Sequence, residues 1–236
     1  MIDKRVASVA EAVADIPDGA TVLIGGFGEA GSPTELIHAL IDRGASGLTV
    51  VNNNAGNGHI GLAALLEQRR VARMICTYPR SSHSEAFEEV YRAGEVALEV
   101  VPQGTLAERL RAAGAGLGGF YTPTAVGTPL GEGKETRAID GRDYVLEYPL
   151  HADFALIKAE RADRWGNLTY RLAARNFGPL MCMAAATTVV QARELVGLGE
   201  IDPETVVTPG IFVDRVVAVP EPMSEREAIL RGDRYP

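Results

Sequence analysis

Short runs of Val, Ile and Leu alternate with amphipathic stretches of about ten residues through the first half of this chain, and that alternation constrains the fold more than any other feature. Residues 21–25, 48–52, 73–78 and 97–102 read as strands, and residues 33–43, 60–70, 85–94 and 106–114 read as helices. A strand that is apolar along its whole length has no face to offer water, so it must be covered on both sides. Such strands separated by helices indicate a mostly parallel sheet with helices on both faces. Residues 114–141 hold so many glycines and prolines that they read as one long loop. Strands resume at 144–147, 154–158, 187–192 and 211–219, giving a single α/β domain over 1–236 with a strand-rich second half.

The formal net charge of −8 argues against non-specific nucleic-acid binding, which rests on Lys and Arg at phosphates. No apolar run reaches the roughly 18 residues of a membrane span, and the N-terminus lacks the pattern of a signal peptide. The expected location is therefore the cytoplasm. Cys76 and Cys182 sit in apolar settings and read as buried small hydrophobes, while His38, His59, His83 and His151 are too scattered for a metal site.

One stretch carries chemistry. Gly26-Phe27-Gly28-Glu29-Ala30-Gly31 spells G-x-G-x-x-G directly after the first strand. Ser32-Pro33-Thr34-Glu35 then fits the start of a helix, with Ser32 as N-cap and Glu35 completing a capping box. Amides between a strand and a helix N-terminus favour a phosphate or carboxylate. A dinucleotide site also needs an acidic residue about 20 positions on, at the end of the second strand. Here that strand ends in Asn52-Asn53-Asn54, and Asp42 comes too early. An NAD-dependent oxidoreductase is thus the weaker alternative.

The wider motif is more specific. Asp18, Gly19, Val22, Leu23, Ile24, Gly25, Gly26, Phe27, Gly31 and Pro33 fall at the spacing of the family I coenzyme A transferase signature. Residues 51–61, 101–114, 131–137 and 150–179 also resemble the alpha (A) subunit of that family, so the likeness covers nearly the whole chain. It implies the family's α/β, Rossmann-like fold.

It also implies a divided enzyme. In the family a glutamate attacks the acyl-CoA thioester and passes through an anhydride and a glutamyl-CoA thioester, a covalent route that splits one hard exchange into easier steps. In two-chain members the beta (B) subunit carries that glutamate. At the equivalent place this chain has Asn53-Asn54-Ala55-Gly56, without a carboxylate. The resemblance makes Asn53, Asn54 and Gln103 the contacts to the oxyanion and substrate. It makes Gly25, Gly26, Phe27, Gly28, Glu29, Ala30 and Gly31 the run along which CoA passes as co-substrate, with no tightly bound cofactor and no metal. It implies an A2B2 heterotetramer that moves CoA from succinyl-CoA to 3-oxoadipate, late in the β-ketoadipate pathway, with acetoacetate or another short 3-oxoacid as the alternative acceptor. A dicarboxylate acceptor wants a cation for its far end, and Arg80, Lys134 and Arg175 are the candidates. Glu29 and Glu132 read as solvated loop carboxylates, and Trp165 as a packing residue over a turn.

Overall fold

The computed structural model describes residues 2–81 and 83–236. In chain order the first half comprises α1 (Val9–Ala12), β1 (Thr21–Ile24), α2 (Thr34–Arg43), β2 (Leu48–Asn54), α3 (Gly61–Glu67), β3 (Val71–Tyr78), α4 (Glu85–Arg92), β4 (Ala97–Val100) and α5 (Gln103–Ala115). The second half comprises β5 (Phe120–Thr122), β6 (Thr136–Ile139), β7 (Arg142–Glu147), β8 (Ala152–Asp163), β9 (Leu168–Thr169), α6 (Gly178–Ala184), β10 (Ala185–Val196), β11 (Arg215–Ala218) and α7 (Glu225–Arg231). The main sheet runs β11-β10-β8-β1-β2-β3-β4 with parallel neighbours throughout, and β9 adds antiparallel to β8.

Strand side chains alternate between two cores, as the two-residue period of a pleated strand requires. Val22, Ile24, Val50, Met74 and Leu156 face one core, with Leu36, Ile37 and Leu40 of α2, Leu65 of α3 and Phe87 of α4. Leu23, Val51, Ile75, Ala155 and Ile157 face the other, with Leu106 and Leu110 of α5 and Met181 of α6. Burying each such large apolar side chain contributes about 1.5–3 kcal/mol. That is why strands without a polar face settle in the middle of a three-layer sandwich.

The structure corrects the sequence reading in several places. Ser32 does not cap α2: the helix starts at Thr34 after Pro33 with no side-chain cap. The hydroxyl of Ser32 instead donates to Glu225 Oε1 at 2.5 Å, and Glu35 accepts from Gln191 Nε2 and Met223 N. Long-range partners thus outcompete the local box. The span 114–141 is not one loop. It contains the end of α5 and two strands of a small antiparallel sheet in the order β5-β7-β6. Asp140 (φ 51°) and Gly141 (φ 76°) make the two-residue hairpin turn between β6 and β7. The run from Ile211 opens with a 3-10 turn, so β11 begins only at Arg215. Trp165, in the turn after β8, is 46% exposed.

Because the central strands are parallel, their carboxyl ends share one edge of the sheet. The glycine turn after β1, the asparagines closing β2 and Thr77-Tyr78 closing β3 therefore meet there. β4 leads through Pro102 into Gln103, the first residue of α5.

Candidate active site

At that edge β1, β2 and β3 are in register, with Leu23 opposite Val51, Asn52 opposite Cys76 and Asn54 opposite Tyr78. The three asparagines do different work. Asn52, 3% exposed, donates from Nδ2 to Ile24 O at 2.7 Å and accepts from Asn54 N at 2.8 Å, so it ties β2 to the end of β1. Asn54 accepts from Gly56 N at 2.8 Å and donates over 3.4 Å to Gly28 O. Asn53 uses only its oxygen, which accepts from Gln103 Nε2 at 2.8 Å. Among the described residues its Nδ2 has no acceptor.

The glycine turn is a tight hairpin. Phe27 N donates to Ala30 O at 3.0 Å and Ala30 N donates to Phe27 O at 3.2 Å. Gly31, at φ +83°, lies so close to its neighbours that a Cβ there would stand 2.6 Å from Ala174 O. Gly26 N is spent on Asn176 Oδ1 at 3.2 Å. The Gly28, Glu29 and Gly31 amides are left without a partner among the described residues. The turn thus offers fewer free donors than the sequence pattern suggests.

A cavity of about 380 Å³ opens here, lined by Phe27, Gly28, Asn53, Asn54, Asn57, Thr77, Tyr78, Ser81 and Gln103. The structure therefore brings Asn53, Asn54 and Gln103 together with Phe27 and Gly28. It does not bring the whole glycine run to one place. Gly25 and Gly26 are buried beneath the turn, and Glu29, Ala30 and Gly31 line a second hollow of about 520 Å³ with Lys158, Arg171 and Glu225. Glu29 is not a freely solvated carboxylate either, since Asn57 Nδ2 donates to its Oε1 at 2.7 Å, whereas Glu132 is exposed.

None of the three candidate cations lines the smaller cavity. Arg80 pairs with Glu88 at 3.0 Å, and Lys134 pairs with the buried Glu147 on the small sheet. Arg175 is exposed and has no ion-pair partner among the described residues. The residues missed from sequence are Asn57, Thr77, Tyr78 and Ser81. Thr77 and Tyr78 had a signal in their place at the carboxyl end of the strand beside the asparagines. Thr77 Oγ1 is buried without a hydrogen-bond partner among the described residues.

The cavity lining is chemically specific. It consists of neutral amides, hydroxyls and aromatic edges, and no carboxylate is among the residues that line it. Amide N–H groups can stabilise a developing oxyanion without themselves attacking. Behind the turn, burial lifts the Glu225 carboxyl from 4.5 to about 6 against the hydroxyls of Ser32 and Thr34 and the ammonium of Lys158. Burial also pushes the Cys76 thiol, next to Asn52 in the sheet, up to about 12. No cluster of His, Cys, Asp and Glu among the described residues could hold a metal ion, and no helix among them is long and apolar enough to cross a membrane.

The mostly parallel α/β fold is shared with coenzyme A transferases of known structure. A family model described as Coenzyme A transferase matches residues 6–219, and the chain belongs to that family. It is 64% identical over 219 residues to the A subunit of 3-oxoadipate CoA-transferase from Pseudomonas putida, covering 93% of this chain and 95% of that one. It is 50% identical over 234 residues to the A subunit of succinyl-CoA:3-ketoacid coenzyme A transferase from Xanthomonas campestris pv. campestris strain B100, covering 98% and 96%. Among solved structures, an acyl-CoA transferase from E. coli O157:H7, in a thioester complex with CoA, shares the fold with a TM-score of 0.81 at 23% identity. The match covers 94% of this chain and 48% of that one, so the chain spans about half the length of that relative. The dinucleotide alternative finds no support.

Proposed function

We propose that residues 1–236 form a single domain that serves as the alpha subunit of a two-component CoA-transferase, moving CoA from succinyl-CoA to 3-oxoadipate. The observation that carries this reading is the pairing of Gln103 with Asn53 at 2.8 Å. It holds the Asn53 Nδ2 group, 5% exposed by residue, beside the glycine turn in a cavity without a carboxylate. Such a cavity can steady a thioester oxyanion and cannot supply the attacking carboxylate. The beta subunit supplies that glutamate across the interface, in an A2B2 assembly in the cytoplasm. CoA passes over Phe27 and Gly28 as a co-substrate and is not retained. The choice of acceptor rests on the P. putida relative, and the 50% identity to a chain of a 3-ketoacid transferase supports acetoacetate or another short 3-oxoacid as the second reading.

The test is to purify this chain alone and in complex with its beta partner, and to assay succinyl-CoA with 3-oxoadipate and then with acetoacetate. Activity only in the pair, with 3-oxoadipate preferred, supports the reading. Transfer by this chain alone refutes the divided site, and preference for acetoacetate moves the substrate to the second reading.

A further inference from the structure

The glycine turn is braced from the far half of the chain by one side chain. Asn176 sits between the 3-10 turn Leu172–Arg175 and α6. Its Oδ1 accepts from Gly26 N at 3.2 Å and from Phe177 N at 2.7 Å. Its Nδ2 donates to Ala30 O at 2.9 Å and to Ala173 O at 2.8 Å. A carboxamide has two donor hydrogens and an oxygen with two lone pairs, so all of its bonding capacity is used. Two of the four bonds fasten Asn176 to its own segment, and the other two grip the glycine hairpin at both ends, Gly26 and Ala30. The two segments are in backbone contact besides, since a Cβ on Gly31 would meet Ala174 O at 2.6 Å and Asn176 Nδ2 at 2.9 Å. On the cavity side the hold is weaker: Asn54 reaches Gly28 O only over 3.4 Å, and Asn57 holds the Glu29 side chain, not the backbone.

We propose that Asn176 is a positioning residue for CoA transfer, fixing the Gly26–Ala30 hairpin so that Phe27 and Gly28 wall the cavity at Asn53. This rests on the reading of that cavity as the thioester site. Asn176 touches no reacting atom in this account and acts through the shape of the turn. An aspartate at this position keeps the size and the acceptors, but once ionised it cannot donate to Ala30 O or Ala173 O. Protonation restores one donor.

The experiment compares wild type, Asn176→Ala and Asn176→Asp in two ways. Amide exchange is measured on the chain alone, and transfer kinetics per folded molecule are measured on the pair with the beta subunit. Asn176→Ala speeds exchange across 26–32 while leaving β10 unchanged, and it lowers kcat/KM by about tenfold or more, the scale of one to two lost hydrogen bonds. Asn176→Asp shows a similar loss at neutral pH and recovers relative to wild type as the pH falls. The clamp is overturned by unchanged exchange over 26–32, by wild-type kcat/KM per folded molecule, or by an Asn176→Asp profile parallel to wild type. If Asn176→Ala does not fold, the Asn176→Asp comparison decides. If the wild-type pair transfers no CoA, the functional reading fails and the exchange result alone judges the clamp.

Discussion

Replacing Asn53 tests the proposed role of its amide in the chemistry separately from the fold. In Asn53→Ala the Nδ2 donor disappears and Gln103 loses its acceptor at 2.8 Å, while the turn contacts of Asn52 and Asn54 stay. Loss of one preorganised oxyanion donor costs roughly 2.7–4 kcal/mol, or about 10²–10³ in kcat. Asn53→Asp keeps the Gln103 hydrogen bond and sets a negative charge where the oxyanion forms. Two like charges about 4 Å apart repel by about 4 kcal/mol at an effective dielectric near 20, so its loss in kcat is at least as large. The contrasting variant is Asn52→Ala, which leaves Ile24 O and Asn54 N without their side-chain partner and costs about 1–3 kcal/mol of stability. Steady-state kinetics on the pair with the beta subunit, with thermal melts of each variant, read both effects. An Asn53→Ala enzyme whose kcat stays within about threefold of wild type refutes the reasoning, because the donor would then contribute under 1 kcal/mol.

Three further outcomes follow from the geometry. Gly31→Ala forces a Cβ to within 2.6 Å of Ala174 O at φ +83°, so it lowers stability by on the order of 2–4 kcal/mol in denaturant titration; an unchanged midpoint contradicts the packing of the turn. Glu225, whose folded pKa lies above its ordinary 4.5 at about 6, favours the fold most when protonated, so its contribution is complete below 4.5 and is lost as the pH rises through 6. Glu225→Gln keeps an acceptor for Ser32 and Thr34 and abolishes that loss, so the stability difference between variant and wild type grows in favour of the variant by about 1–2 kcal/mol between those pH values; a flat difference contradicts the burial argument. Burial pushes the Cys76 and Cys182 thiols up to about 12, so neither reacts with Ellman's reagent in the native chain at pH 8 and both react after unfolding; a fast native thiol contradicts the packing around it.

The parts of the fold that were legible in sequence are those fixed by local pattern. Strands such as Val22-Leu23-Ile24 carry no polar residue, and that alone requires cover on both faces. Asn53, Asn54 and Gln103 came from resemblance, but their meeting has a physical logic, since parallel strands deliver their carboxyl ends to one edge. What was not legible depends on contacts across the chain. Ser32 and Glu35 look like a capping box, yet both are claimed by the C-terminal half, Ser32 by Glu225 and Glu35 by Gln191 and Met223. Asn176 lies 150 residues from Gly26, and no spacing rule could connect them. The β6–β7 hairpin is a different failure. Asp140-Gly141 is a strong turn signal and the strand after it was read at 144–147, but the surrounding glycines hid β6 before it.

The central claim is that this chain supplies amide donors and its partner supplies the nucleophile. The most direct measurement is to incubate the pair with acyl-CoA, quench it in turnover and weigh each chain intact by mass spectrometry. The account predicts a CoA adduct on the beta partner and an unmodified mass for this chain. A CoA adduct on this chain would contradict it.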